Sequence, residues 1–179
     1  MKLRIEDITA EAKELSFAEP EADINRILEK GPLTEFHVIK PIDVEVSYYR
    51  AGTELFFEGG LHAATKATCA RCAEEFTAPR ERDFRFVLAP KSVGFNGGKD
   101  LRDEDLEFSL YDGDQIDLSP LIREQFLLSL PTRSLCREDC RGLCPKCGIN
   151  LNNGQCSCSE QTADPRLAPL RNLKVGRSS

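Results

Sequence analysis

The sequence predicts an α+β protein: mainly an antiparallel β-sheet or open barrel with few helices, followed by a cysteine-rich tail. Three observations carry this reading. Short segments that alternate apolar and polar residues follow one another with brief turns between them, few segments repeat with helical spacing, and six of the eight cysteines fall after residue 130. At 179 residues such a chain can bury a true apolar core without crosslinks, so any metal is needed locally.

The first element in chain order is a helix over 21–30, where Ile24, Ile27 and Leu28 share one face and Gly31-Pro32 stops the helix. IDVEVSY is the firmest strand, with Ile42, Val44, Val46 and Tyr48 on one side and Asp43, Glu45 and Ser47 on the other. Alternation continues through Leu55 and Phe57, then Leu61, Ala63, Thr65, Ala67 and Cys69, then Phe84, Phe86 and Leu88, then Leu106, Phe108 and Leu110. Gly59-Gly60 and Asp112-Gly113 are expected to make turns. Connections this short suit antiparallel pairing, because parallel crossovers need longer ones. Residues 91–105 read as a mobile loop, glycine-rich and then acidic.

Ser119 is expected to cap a helix over 119–130, with Pro120 in its first turn and Pro131 ending it. Ile122, Phe126 and Leu130 stack on one face while Leu121 and Leu128 point elsewhere, which predicts sheet on one side and the tail or a partner on another. A third, short helix is expected to start at Asp164-Pro165, with Leu167, Leu170 and Leu173 on one side and a kink at Pro169.

Charge divides the chain at Pro131. Residues 1–130 carry 16 Lys+Arg against 26 Asp+Glu, a balance of −10, and residues 131–179 carry 8 against 4, a balance of +4. The expected domains are therefore 1–130, an acidic β-rich body ending in helix 119–130, and 131–179, a basic cysteine-rich tail with its short helix. MKLRIEDITAEAKEL has no apolar signal core, and no apolar run reaches the roughly 18–20 residues that span a bilayer, so a cytoplasmic protein without membrane contact is expected.

In that reducing compartment clustered cysteines more often bind metal than form disulfides. Cys144-Pro-Lys-Cys147-Gly can turn two sulfurs toward one tetrahedral ion, while the glycine lets backbone amides point at them. Asn153-Gly154 can make a hairpin turn that returns Cys156 and Cys158. This is a zinc-ribbon-like layout, and Cys144, Cys147, Cys156 and Cys158 are the expected Zn²⁺ ligands. Only one residue separates Cys156 from Cys158, so both ligate only if the chain curls there; Cys136 and Cys140, spaced i, i+4, are the reserves. Such an ion is worth on the order of 10 kcal/mol of folding free energy to a segment this poor in apolar residues.

The isolated pair in CARC, Cys69 and Cys72, reads either as a structural hairpin tip or as half of a site shared with the tail, the four ligands then being Cys69, Cys72, Cys144 and Cys147. A thioredoxin-type redox pair needs a strand entering a helix, whereas CARC has strand-like sequence on both sides.

Catalytic signatures are missing: the glycines form neither GxGxxG nor a phosphate loop, and GxSxG and HExxH do not occur. Histidine chemistry would rest on His37 and His62, and His62 falls on the polar phase of its strand. Asp112, Asp114 and Asp117 lack calcium-loop spacing and decorate a turn. A tetrathiolate ion has no open coordination position, so the expectation is a non-enzyme without a small-molecule substrate.

CARC after a strand, DLSPLIREQFLLSLP, LCREDCRGLCPKCGINLN with its CSC, and the closing DPRLAPLRNL together resemble the YceD family, bacterial and plastid proteins associated with accumulation of large-subunit ribosomal RNA. The resemblance covers nearly the whole chain and implies a ribosome-biogenesis role, with metal binding and nucleic-acid binding predicted for the family and no catalytic activity. It also implies that some relatives lack the tail cysteines, which would place the shared activity in the sheet and the DLSPLI helix.

Two partners are then in view. One is large-subunit ribosomal RNA or a pre-ribosomal particle, met by Arg133, Arg137, Arg141, Lys146, Arg166, Arg171, Lys174 and Arg177. The other is a basic ribosomal protein steered to the acidic body. Thiol or zinc redox sensing is a third reading.

Overall fold

The structure is a computed structural model and describes residues 1–91 and 108–158. The elements in order are β1 (Lys2–Arg4), a 3-10 turn (Ile5–Asp7), β2 (Lys13–Glu19), α1 (Glu21–Lys30), β3 (Phe36–Val38), β4 (Ile42–Ala51), β5 (Glu54–Thr68), β6 (Glu75–Pro90), β7 (Phe108–Tyr111), β8 (Gln115–Asp117) and α2 (Leu118–Ser129). The fold class is α+β with an open sheet. Its main sheet runs β2-β4-β5-β6-β7, β3 pairs with β5, and β1 and β8 form a separate ribbon.

The spine is the long antiparallel hairpin of β5 and β6, in register from Leu55 opposite Leu88 to Thr68 opposite Glu75. Its far end projects past β4 and carries the CARC turn. The inward residues Val44, Val46, Phe57, Leu61, Phe84 and Phe86 form one buried cluster with Ile24 and Leu28 of α1 and Leu118, Ile122 and Phe126 of α2. Phe57 stacks on Phe86 at 5.0 Å between centroids. The opposite face is open: Asp43, Glu45, Glu58, His62, Glu81 and Asp83 are exposed there.

Several local expectations change. Gly59 and Gly60 make no turn; they lie inside β5, and a Cβ on Gly59 would sit 2.0 Å from the Glu45 carbonyl oxygen. The glycine serves close approach of two backbones there, a use that sequence alone confuses with a turn. Asp112-Gly113 does turn, with Gly113 at φ 85° and its N–H donating to Asp112 Oδ1 at 2.9 Å. Among the described residues one pairing is parallel, β6 with β7, and the 17 residues of sequence between Pro90 and Phe108 exceed the dozen or so that a parallel connection needs. Helix α2 is capped by Asp117, whose Oδ1 accepts from the Ser119 N–H at 3.1 Å; Ser119 is already inside the helix, and Pro120 has no N–H to satisfy. Leu121 packs partly buried against the core, whereas Leu128 is 57% exposed.

The expected loop over 91–105, apart from Lys91, lies outside the described residues, as do Leu106 and the helix at Asp164-Pro165. No helix among the described residues is long and apolar enough to cross a membrane.

Candidate metal centres

The CARC turn closes on itself first. Cys69 donates its N–H to Glu74 at 2.9 Å, Ala73 donates back to Cys69 at 2.9 Å, and Ala73 takes φ 58° to complete the reversal. Both Cys69 and Cys72 are buried in this tip. The chain leaving α2 then runs along it. Buried Ser134 accepts from the Ala70 N–H at 2.8 Å through its carbonyl and donates its hydroxyl to the Thr68 carbonyl at 2.5 Å. The Arg71 guanidinium donates to the carbonyls of Glu138 and Cys140, each at 2.9 Å, and the Arg71 carbonyl accepts from Leu143 at 3.0 Å.

These contacts gather four sulfurs, those of Cys69, Cys72, Cys136 and Cys140, all within 4.8 Å of one another. The tail partners of CARC are thus the two cysteines held as reserves. The arrangement of Cys69 and Cys72 with Cys144 and Cys147 does not form, because Gly142 packs on Arg71 and carries the chain past the tip: its φ is 75°, and a Cβ there would lie 2.9 Å from the Arg71 carbonyl oxygen. CARC is a hairpin tip, and its sulfurs face Cys136 and Cys140, not the Cys144 and Cys147 of the expected shared site.

The second group is Cys144, Cys147, Cys156 and Cys158, again all within 4.8 Å. Gly148 at φ 72° donates to the Cys144 carbonyl at 2.9 Å, and Cys144 donates to Ile149 at 2.9 Å, so the CPKCG segment wraps around its first sulfur. The return is made differently from the expected Asn153-Gly154 hairpin. Asn153 donates to the Asn150 carbonyl at 3.1 Å, placing the turn earlier, and residues 154–158 form no strand. Away from a ladder the chain can curl, so Cys156 and Cys158 both face inward despite their single-residue spacing.

Asn152 ties the stretch between Cys147 and Cys156 to the first group. Its Oδ1 accepts from the Arg141 N–H at 2.8 Å and from Arg137 at 2.9 Å, while its Nδ2 donates to the Cys140 sulfur at 3.3 Å. Asn150 Nδ2 reaches Glu74 Oε1 at 2.8 Å and ties the second group to the hairpin tip. Sequence reading overlooked Ser134, Gly142, Asn150 and Asn152; the asparagine-dense INLNN was the available signal.

Electrostatics at the sulfurs favour anions at selected positions. Burial pushes the Cys69 thiol up, but backbone N–H donors at Cys136, Arg71 and Cys72 outweigh it and bring the value to about 6. At Cys144 the amides of Cys147 and Lys146 prevail over burial, again reaching about 6. Cys136 is pushed up to about 12 by burial and by its neighbours Cys140, Cys69 and Cys72. Cys158 is raised to about 12 mainly by Cys147, then by burial. At Cys140 burial pushes up but the Asn152 and Gly142 donors outweigh it, so in each group at least one thiol ionises early and another stays protonated unless a cation neutralises the cluster.

The donor geometry fits a tetrahedral thiophilic ion. With metal–sulfur bonds of about 2.3 Å, the edge of a tetrahedron is about 3.8 Å. Cys69 Sγ lies 3.8 Å from Cys140 Sγ, and Cys72 Sγ lies 3.8 Å from Cys136 Sγ. A disulfide would bring sulfurs to about 2.05 Å, and all eight cysteines are free. Four sulfurs and no open position make each group a candidate for structure rather than catalysis.

Of the candidate RNA-contacting cations, Arg133, Arg137, Arg141 and Lys146 are exposed around these groups. Arg137 is engaged with Asn152 and also pairs with Asp139 at 3.4 Å. Arg166, Arg171, Lys174 and Arg177 lie outside the described residues.

The architecture defines a class: an open-sheet α+β protein whose hairpin tip and C-terminal segment carry two four-cysteine clusters. The chain belongs to the family described as Large ribosomal RNA subunit accumulation protein YceD, matched over residues 57–174. It is 28% identical over 156 residues to "Large ribosomal RNA subunit accumulation protein YCED homolog 1, chloroplastic" of Arabidopsis thaliana, covering 75% of this chain and 49% of that protein. The protein of the same description in Zea mays is 26% identical over 158 residues, covering 74% and 53%. An uncharacterized protein of Mycobacterium tuberculosis is 30% identical over 129 residues, covering 72% and 60%. The chain thus spans about half the length of the curated relatives it matches. No solved structure matches it.

Proposed function

We propose that this chain is a non-catalytic, zinc-organised ribosome-biogenesis factor that supports accumulation of large-subunit ribosomal RNA, in line with the names of its plant relatives. Zn²⁺ is held by Cys144, Cys147, Cys156 and Cys158, and its work is to shape the tail. The observation that carries this reading is the gathering of four sulfurs within 4.8 Å of one another in a member of this family.

Charge favours one of the two modes of contact. The tail, residues 131–179, carries 8 Lys+Arg against 4 Asp+Glu, a balance of +4. A tetrathiolate around one divalent ion adds about −2, which halves that excess. On the open face of the sheet, by contrast, Asp43 lies opposite His62 and His62 opposite Glu81, while Glu45 lies opposite Gly60 and Gly60 opposite Asp83. Glu14 and Glu58 flank this block across Ser47, and Arg85 borders it. The preferred partner is therefore a basic ribosomal protein of the pre-ribosomal particle, docked on the acidic face, with the effect on RNA following from assembly. Direct RNA contact by the exposed tail cations is the second reading.

Both are tested with the zinc-loaded chain, titrated at rising salt against a large-subunit ribosomal RNA fragment and against purified basic large-subunit proteins. The expected result is protein binding that weakens at least tenfold in an Asp43→Lys/Glu45→Lys variant. RNA binding unaffected by that variant, with no protein binding, would overturn the docking reading in favour of the tail.

A further inference from the structure

We propose that Cys69, Cys72, Cys136 and Cys140 form a second, independent metal centre, taking one tetrahedral thiophilic divalent cation such as Zn²⁺ and stapling the tail to the tip of the β5–β6 hairpin. The proposal extends the zinc reading of the tail, and its experiment separates the two.

Geometry carries it. The two Sγ–Sγ separations of 3.8 Å join cysteines 71 and 64 residues apart in the chain. They equal the tetrahedral edge of about 3.8 Å that metal–sulfur bonds of about 2.3 Å require. The surroundings are built for anionic sulfur, because a thiol is a weak acceptor, yet the Asn152 amide donates to Cys140 at 3.3 Å. The apolar alternative, four thiols packed as small hydrophobes, explains burial but gives no reason for polar donors aimed at sulfur.

The centre also has a mechanical setting that the tail group lacks. The cation would join the hairpin tip to the segment that leaves α2, and the loop between those segments contains β6, β7, β8 and α2. Closing so long a loop removes chain entropy from the unfolded state, as a disulfide would, without needing an oxidising compartment. Access differs as well: Cys69, Cys72 and Cys140 are at most 3% exposed, whereas Cys147 and Cys158 are exposed. The inner ion is therefore the slower of the two to leave.

The experiment measures zinc per chain and Co²⁺ saturation, followed by sulfur-to-cobalt charge-transfer absorption, in the full reduced chain and in the Cys72→Ser and Cys147→Ser variants. The expected result is two ions per wild-type chain, one in each variant, and two-phase release to a chelator, with only the slow phase left in Cys147→Ser. Saturation at one ion, lost in Cys147→Ser and kept in Cys72→Ser, would overturn this centre and leave the tail site standing. Loss only in Cys72→Ser would do the reverse, and no ion in wild type would refute both. Where a variant fails to fold, wild-type saturation at two ions supports both centres and at none refutes both, and saturation at one is assigned by Cys140→Ser and Cys144→Ser in place of the failed variants.

Discussion

Asn152 shows how much of the site depends on residues that are not ligands. One side chain holds the Arg141 amide and Arg137 while donating to the Cys140 sulfur. Losing such an outer hydrogen bond typically weakens metal affinity about 10- to 100-fold. Asn152→Ala is accordingly expected to lower affinity at the Cys140 group by about tenfold, while the Cys147 group changes less; competitive chelator titration reads both. A second residue-scale test concerns Glu19, which is buried at 2% exposure and held by Arg123, with an Nε–Oε1 distance of 2.6 Å. Arg123 also binds Asp23 at 2.7 Å and so locks β2, α1 and α2 together. Arg123→Ala leaves a buried carboxylate unpaired and is expected to cost about 3 kcal/mol in denaturant unfolding. Neither role was legible in the sequence, because which partner a polar side chain finds is fixed by tertiary contact, whereas the cysteines announced themselves by spacing.

At the scale of elements, periodicity carried the reading well wherever one face is buried. Ile42, Val44 and Val46 all point inward, and α1 ends at Gly31 as its Gly-Pro signal implies. Punctuation by glycine and asparagine was harder to read. Gly59 marks a close backbone approach inside β5, and Asn153 closes a turn over 150–153 instead of making its centre with Gly154. Both motifs have more than one physical use, and only the neighbouring strand or the cysteine geometry selects among them. Gly59→Ala must push aside the Glu45 backbone, so it is expected to destabilise the sheet by about 2–3 kcal/mol. Gly52→Ala provides the contrast: it meets nothing within 4 Å, and its cost comes only from its positive φ, about 1 kcal/mol. Thermal unfolding of the two variants would separate packing from backbone preference.

At the scale of the whole molecule, the sheet and the cysteine-rich segment rest on different physics. The sheet has an apolar core of its own, whereas residues 131–158 depend on hydrogen bonds and on sulfur clusters. The proposed metal binding also sets a pH dependence. At pH 7 Cys69 and Cys144, at about 6, are thiolates, while Cys136 and Cys158, at about 12, must lose protons when the ion enters. Affinity therefore falls as pH falls and is lost fastest below about 6, where the first thiolates are protonated too. Metal retained per chain after equilibration between pH 4 and 8 checks this; retention that rises toward acid has the wrong sign.

On the proposed reading, metal gives the cysteine-rich segment its shape, and amide hydrogen exchange on the reduced full chain, with the metal bound and after chelation, reads that shape residue by residue. Chelation is expected to abolish protection over residues 136–158 while β5 and β6 keep theirs along the core. Protection of 136–158 that survives in fully reduced, metal-free protein would refute a metal-dependent fold.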